Sequence, residues 1–197
     1  MSLTIDDFNT GLQSAVPLSS GSKDYFQPGA MLGGGRHVVH TVGQVGASSP
    51  LLNREGLYTI TEGHLIVEDG VHAASRLEIS YGIAASGNVV PLNLDLSKDL
   101  ADGQFILHFH SLDMLNEVDV IIQLVTPSRE MFQASKQVTP PVIGSFDVPF
   151  PLADFRSNKT GNAPTEKDFQ SIDYLTLIFQ DGGNGGNDFA INLFDIT

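Results

Sequence analysis

The chain has 197 residues with 23 acidic against 10 basic side chains, a formal net charge of −13. The ten Lys and Arg are scattered singly, which argues against nucleic acid and anionic membrane surfaces, since both reward clustered cations. No apolar run approaches the roughly 20 residues that span a bilayer, and the absence of cysteine removes disulfides, thiolate metal sites and a cysteine nucleophile.

Hydrophobic residues make up 41% of the chain, enough to build a core, and the length suits one all-β domain over residues 1–197. Apolar and polar residues alternate in short runs punctuated by Gly, Pro, Asn and Asp, the pattern of half-buried strands. In chain order the predicted strands are 3–8, 36–42, 57–61, 64–68, 76–81, 89–94, 104–110, 118–125, 130–133, 145–148, 172–180 and 189–196. Residues 11–35 and 156–167 read as irregular. Helical periodicity is missing over three turns anywhere; 50–55, 111–116 and the segment around Ala153 each offer about one turn.

Glu62-Gly63, Asp69-Gly70 and Pro127-Ser128 supply tight-turn chemistry between neighbouring runs. Parallel strands need crossovers of about a dozen residues or more, so the sheets are expected to be antiparallel. The Gly- and Asn-rich tract 181–188 is expected to be a mobile loop. In the strand at 104–110, Phe105, Leu107 and Phe109 share one face, as do Val118, Val120, Ile122 and Leu124 in the next. These two sets are predicted to meet in one core between two sheets.

The second half carries the segments LNLDLS, GQFILHFHSLDMLNEVDVIIQLV, FDVPFPLADF, DFQSIDYLTLIFQ and DFAINLFDI, and the chain opens with TIDDF. This order resembles galactose-binding-like domains, a group that includes many carbohydrate-binding modules. The N-terminal DDFNTG and GAMLGGGRHVV are also similar to exported cyanobacterial and planctomycete surface proteins, some with a PEP-CTERM sorting signal. The resemblance implies an antiparallel jelly-roll β-sandwich, an extracellular or cell-surface location, and a structural calcium near the terminal strands, for which Asp6, Asp7 and Asp195 are the nominees. Its partners would be a glycan or another surface protein.

The chemistry-bearing residues divide three ways. His108 and His110 form a His-x-His pair on one strand face, a spacing that suits metal ligation in cupin-like jelly rolls, but the second cupin motif is missing. His37 and His40 are three apart, so a strand turns them to opposite faces. Sugars pack against flat aromatic rings; the chain has no Trp, and Tyr25, Phe26 and Tyr81 are the nominees for an exposed platform. No nucleophile elbow and no spaced carboxylate pair marks a hydrolase. The expected function is a non-catalytic structural or adhesive module, with a carbohydrate-binding module and a His108/His110 metal enzyme as alternatives.

Overall fold

A computed structural model describes residues 2–44, 55–114, 117–139, 144–181 and 186–197. In chain order the strands are β1 Leu3–Asp6, β2 Gln13–Leu18, β3 Gly21–Pro28, β4 Gly35–Gln44, β5 Gly56–Thr61, β6 His64–Asp69 and β7 Ala73–Tyr81. There follow β8 Gln104–Met114, β9 Val118–Val125, β10 Met131–Val138, β11 Phe146–Pro151, β12 Arg156–Ser157, β13 Tyr174–Asp181 and β14 Asn187–Ile196. The helices among the described residues are two single 3₁₀ turns, Leu32–Gly34 and Leu152–Asp154.

The strands form two seven-stranded antiparallel sheets, the jelly-roll β-sandwich expected from the sequence. The front sheet runs β11-β8-β14-β6-β5-β2, and the back sheet β12-β10-β9-β13-β7-β4-β3. In the front sheet β14 pairs with β8 along one edge; on the other edge β6 takes Asp188 to Ile191 and β1 takes Phe194 to Ile196. Between them the register shifts around residues 190–193, a bulge that lets one strand serve two partners.

Inward side chains of both sheets form one core. Phe105, Leu107 and Phe109 of β8 and Val118, Val120, Ile122 and Leu124 of β9 are all buried in it, as their spacing predicted. Aromatic rings run through its middle: Phe105 lies 5.8 Å from both Phe155 and Phe194, and Phe109 stacks on Phe146 at 5.0 Å.

Polar side chains also face inward. Arg36 on β4 is fully buried, and its guanidinium donates to Asp6 Oδ2 (2.5 Å), Gln27 Oε1 (2.7 Å), Thr10 O (2.7 Å) and Gly11 O (2.8 Å). Asp6 also accepts from Tyr81 Oη and the Phe8 amide, each at 2.9 Å. This ion pair ties β1 of the front sheet to the back sheet, and every hydrogen-bonding atom of the pair's carboxylate side is matched by a donor.

Three expectations are corrected. Residues 11–35 are not irregular, because they hold β2 and β3; both are edge strands, paired only with β5 and β4. Edge strands need no apolar alternation and tolerate Pro17. Residues 89–94 form no strand; isolated bridges Ile83 to Val89 and Leu94 to Ile172 are all that forms, and Val89 and Val90 are exposed. Residues 111–114 continue β8 instead of turning into a helix. The other predicted turn, 50–55, lies outside the described residues except for Glu55; of the tract expected as a loop at 181–188, Asp181 ends β13 and Asn187 and Asp188 open β14, while 182–185 lie outside the described residues.

Candidate functional site

Strand register on the back sheet aligns one outward side chain from each of its seven strands. Pairing is Phe26 to His37, His37 to Ser80, Ser80 to Thr176, Thr176 to Gln123, Gln123 to Gln133 and Gln133 to Arg156. At about 4.8 Å per strand this row runs roughly 29 Å across the sheet. Period-2 alternation puts these residues outward because their neighbours, among them Val38, Leu175, Leu177, Ile122 and Leu124, are core.

The row is mutually braced. Ser80 and Thr176 share a hydroxyl hydrogen bond at 2.9 Å, and Gln123 Nε2 donates to Gln133 Oε1 at 3.3 Å. His37 Nε2 lies 3.5 Å from Asp24 Oδ2. The Phe26 ring packs against Gly35, where a Cβ would come within 2.6 Å of it. One row further along, Val39, Glu78, Ile178 and Ile121 align, and Arg76 donates at 2.7 Å to both Glu78 and Gln180. Ile178 points outward yet is 1% exposed, so these neighbours close over the middle of the face. Hydroxyls and amides carry donors and acceptors together. The face therefore presents fixed, mostly neutral hydrogen-bonding groups beside an apolar strip, with an aromatic pair at one end.

Of the aromatic nominees, only Phe26 lies on this face. Tyr81 is fully buried, its hydroxyl committed to Asp6, and burial pushes that hydroxyl well above its usual range. Tyr25 pairs with inward-facing Val38 and meets Tyr58 edge-on at 6.1 Å. The expected Tyr25–Phe26–Tyr81 platform is not assembled, because adjacent strand residues face opposite sides and Tyr81 has core parity.

His108 and His110 face outward from the front sheet, between inward Leu107, Phe109 and Leu112. His108 Nδ1 lies 2.7 Å from Asp147 Oδ1, and its Nε2 lies 3.4 Å from Asp195 Oδ1. His110 turns to His64 of β6, with ring centroids 4.8 Å apart. The two histidines thus take different partners.

The calcium nominees do not converge. Asp6 faces inward with its charge matched by Arg36, Asp195 faces outward beside His108, and Asp7 accepts the Asn9 amide at 3.0 Å, which holds its carboxyl below the usual range. Among the described residues no three His, Asp or Glu side chains gather in an arrangement able to hold a metal.

Sequence reading passed over Arg36 and Ser75, set His40 aside as a poor joint ligand with His37, and gave Asp69, Asp181 and Asn187 to turns and loops; all six are buried. The signal was strand parity: Arg36 and His40 share a face with Val38 and Val42, and Asp69 with Leu65 and Val67.

No family model and no curated protein matches the chain. Among solved structures, the family 11 carbohydrate-binding module of the cellulosomal cellulase Lic26A-Cel5E of Clostridium thermocellum is similar, with 14% identity over 98% of this chain and 93% of that one, at a TM-score of 0.46. That family 11 module is also known in complex with a β-1,3-1,4-mixed-linked tetrasaccharide, again with 14% identity and a TM-score of 0.46, over 98% and 94% of the two chains. The family 30 carbohydrate-binding module of cellulase Cel9D-Cel44B from the same organism has 14% identity over 100% and 97% of the two chains, at a TM-score of 0.41.

Proposed function

We propose that this chain is a non-catalytic carbohydrate-binding module whose ligand lies along the outer face of the back sheet. One observation carries the reading: the transverse row from Phe26 and His37 through Ser80, Thr176, Gln123 and Gln133 to Arg156, one side chain per strand. A glycan chain is an extended ladder of hydroxyls, each both donor and acceptor. A braced row of amides and hydroxyls meets such a ladder with little side-chain entropy left to lose on binding. The Phe26–His37 pair supplies ring faces for sugar C–H groups at one end. With this function goes the extracellular or cell-surface location that the sequence resemblance implies.

A second reading, a structural or adhesive module binding another surface protein, is favoured by the inward placement of Tyr25, Tyr58 and Tyr81, which leaves Phe26 as the one aromatic nominee on the face. A microarray of plant and microbial polysaccharides separates the two. The glycan reading expects binding by the wild-type chain that is lost on Gln123→Ala with Gln133→Ala and retained on His110→Ala. Binding to no glycan, or loss with His110→Ala instead, favours the second reading.

A further inference from the structure

The transverse row on the back sheet ends at Arg156 of β12. The 3₁₀ turn Leu152–Asp154 and the residue after it aim two backbone carbonyls at this side chain: Arg156 Nη1 donates to Ala153 O at 2.7 Å and to Phe155 O at 2.6 Å. Those two bonds use both Nη1 hydrogens. The opposite edge of the guanidinium, Nε–H beside Nη2–H, meets no acceptor among the described residues. Two parallel N–H groups of this kind form the fork that grips a carboxylate through both of its oxygens. The carbonyls also hold the side chain in place, so little rotamer freedom is lost when the fork is filled.

Other cations close to this sheet are already matched. Arg76 donates to Glu78 and Gln180, and Arg36 is buried against Asp6. Carboxylates are committed elsewhere: Glu130, just before β10, accepts from Ser157 Oγ at 2.7 Å, while Asp24 and Glu78 lie on β3 and β7 toward the far end of the row, beside His37 and Arg76. Among the described residues none forms an ion pair with Arg156.

An aromatic ring shares this half of the face. On β13 Leu175 and Leu177 are core, so Tyr174 takes the outward parity of Thr176 and is half-buried. Its row continues through Val125 of β9 to Met131 of β10, whose sulfur accepts from Asn158 Nδ2 at 3.5 Å. From β13 to β12 is three strand steps, roughly 14 Å at about 4.8 Å each, and Gln123 and Gln133 stand between.

We propose that this end of the face recognises an acidic glycan, with Arg156 holding the carboxylate of a uronosyl residue seated over Gln133 and Tyr174 stacking on a neighbouring sugar ring. The inference rests on the glycan reading and adds the chemical class of the ligand. A single fork takes a single carboxylate. The chain's net charge of −13 repels a continuous polyanion, so the fitting ligand is a mainly neutral glycan with sparse uronosyl residues.

The test is a microarray carrying glucuronoxylan, xanthan, polygalacturonate and neutral β-glucans, with each acidic polymer also present in carboxyl-reduced form. The sparsely acidic polymers should bind best. Titration calorimetry then uses an oligosaccharide released from the strongest binder and its carboxyl-reduced counterpart. Carboxyl reduction should cost the wild-type chain about tenfold or more in affinity, and Arg156→Gln under about twofold. Arg156→Lys should fall between, since an ammonium supplies charge without the fork. Lys98→Gln, which removes a cation outside the face, should keep the full penalty. Tyr174→Ala should weaken the native and reduced ligands by the same factor. Melting curves show that each variant is folded. Neutral glycans bound with no penalty for carboxyl reduction would overturn this inference and leave the glycan reading standing. A penalty that survives Arg156→Gln would overturn the role of Arg156. Binding to no glycan, or to acidic peptides alone, would overturn both readings.

Discussion

Removing Asp6 isolates a charge that the fold has no other way to neutralise. Arg36 is 0% exposed, and of the four acceptors around its guanidinium only Asp6 is charged. Breaking a buried pair by deleting one member typically costs about 3–5 kcal/mol. At roughly 2–4 °C per kcal/mol for a domain of this size, Asp6→Ala should lower the melting temperature by about 6–20 °C. The double variant Asp6→Leu with Arg36→Met replaces both partners by apolar groups, a change that is often neutral. It should therefore be more stable than Asp6→Ala alone. A double-mutant cycle by urea denaturation, with the m-value checked for constancy, should give a coupling of about 2 kcal/mol or more. Glu78→Ala is the reference: its partner Arg76 is 36% exposed, and that pair should be worth under about 1 kcal/mol. Additive single substitutions, or an Asp6→Ala cost no larger than that of Glu78→Ala, would refute the claim that the pair locks β1 onto the back sheet.

Phe109→Ala should cost about 3–5 kcal/mol in thermal or urea melts, because the ring is 1% exposed between Phe146 and Phe189; exposed His110→Ala should change little, and equal effects would invert the face assignment. Gly82 has φ +87°, and a Cβ there would meet the Asp173 carbonyl oxygen at 2.6 Å, so Gly82→Ala should cost more than about 1 kcal/mol; a neutral substitution would contradict the packing. Burial holds His40 down at about 4, with Lys23 adding to the effect, while Asp69 is raised to about 7. Between about pH 4 and 6.5 the unfolded chain gains a proton on His40 as pH falls, whereas the folded chain keeps one on Asp69. The two slopes therefore oppose each other, and the protein should show nearly flat stability across that window. Asp69→Asn leaves only the His40 slope, so stability should then fall toward low pH by up to about 1.4 kcal/mol per unit. Denaturant midpoints measured from pH 4 to 7.5 check this, and an unchanged slope in Asp69→Asn would contradict it.

The architecture was legible wherever strands are paired on both sides. In β9 the alternation of Val118, Val120, Ile122 and Leu124 with Asp119, Ile121 and Gln123 is bracketed by β10 and β13, and the predicted bounds match. It was not legible in β2 and β3, because an edge strand satisfies half its backbone with solvent and needs no buried face of its own. Val89 and Val90 gave a false strand signal, since β-branched residues favour strands only where a partner strand comes alongside.

The sites were harder to read because function was sought in residue types and not in their parity. Tyr81 was nominated for its ring, yet its place beside Ile79 and Leu77 already put it in the core. Asp69, Asp181 and Asn187 sit at core parity in runs of apolar residues, a conflict between residue type and position that the sequence displays openly. The polar row on the back sheet depends on strand order across seven strands, which pattern within single strands does not encode.

The most direct test of the glycan face is an NMR titration of the ¹⁵N-labelled chain with the best-binding oligosaccharide from the microarray. The account predicts shift changes concentrated at the side-chain amides of Gln123 and Gln133 and at the backbone of His37, Ser80 and Thr176, with His108, His110 and Asp147 on the opposite face unmoved. Changes centred on the His108 face, or no saturable change with any glycan, would contradict it.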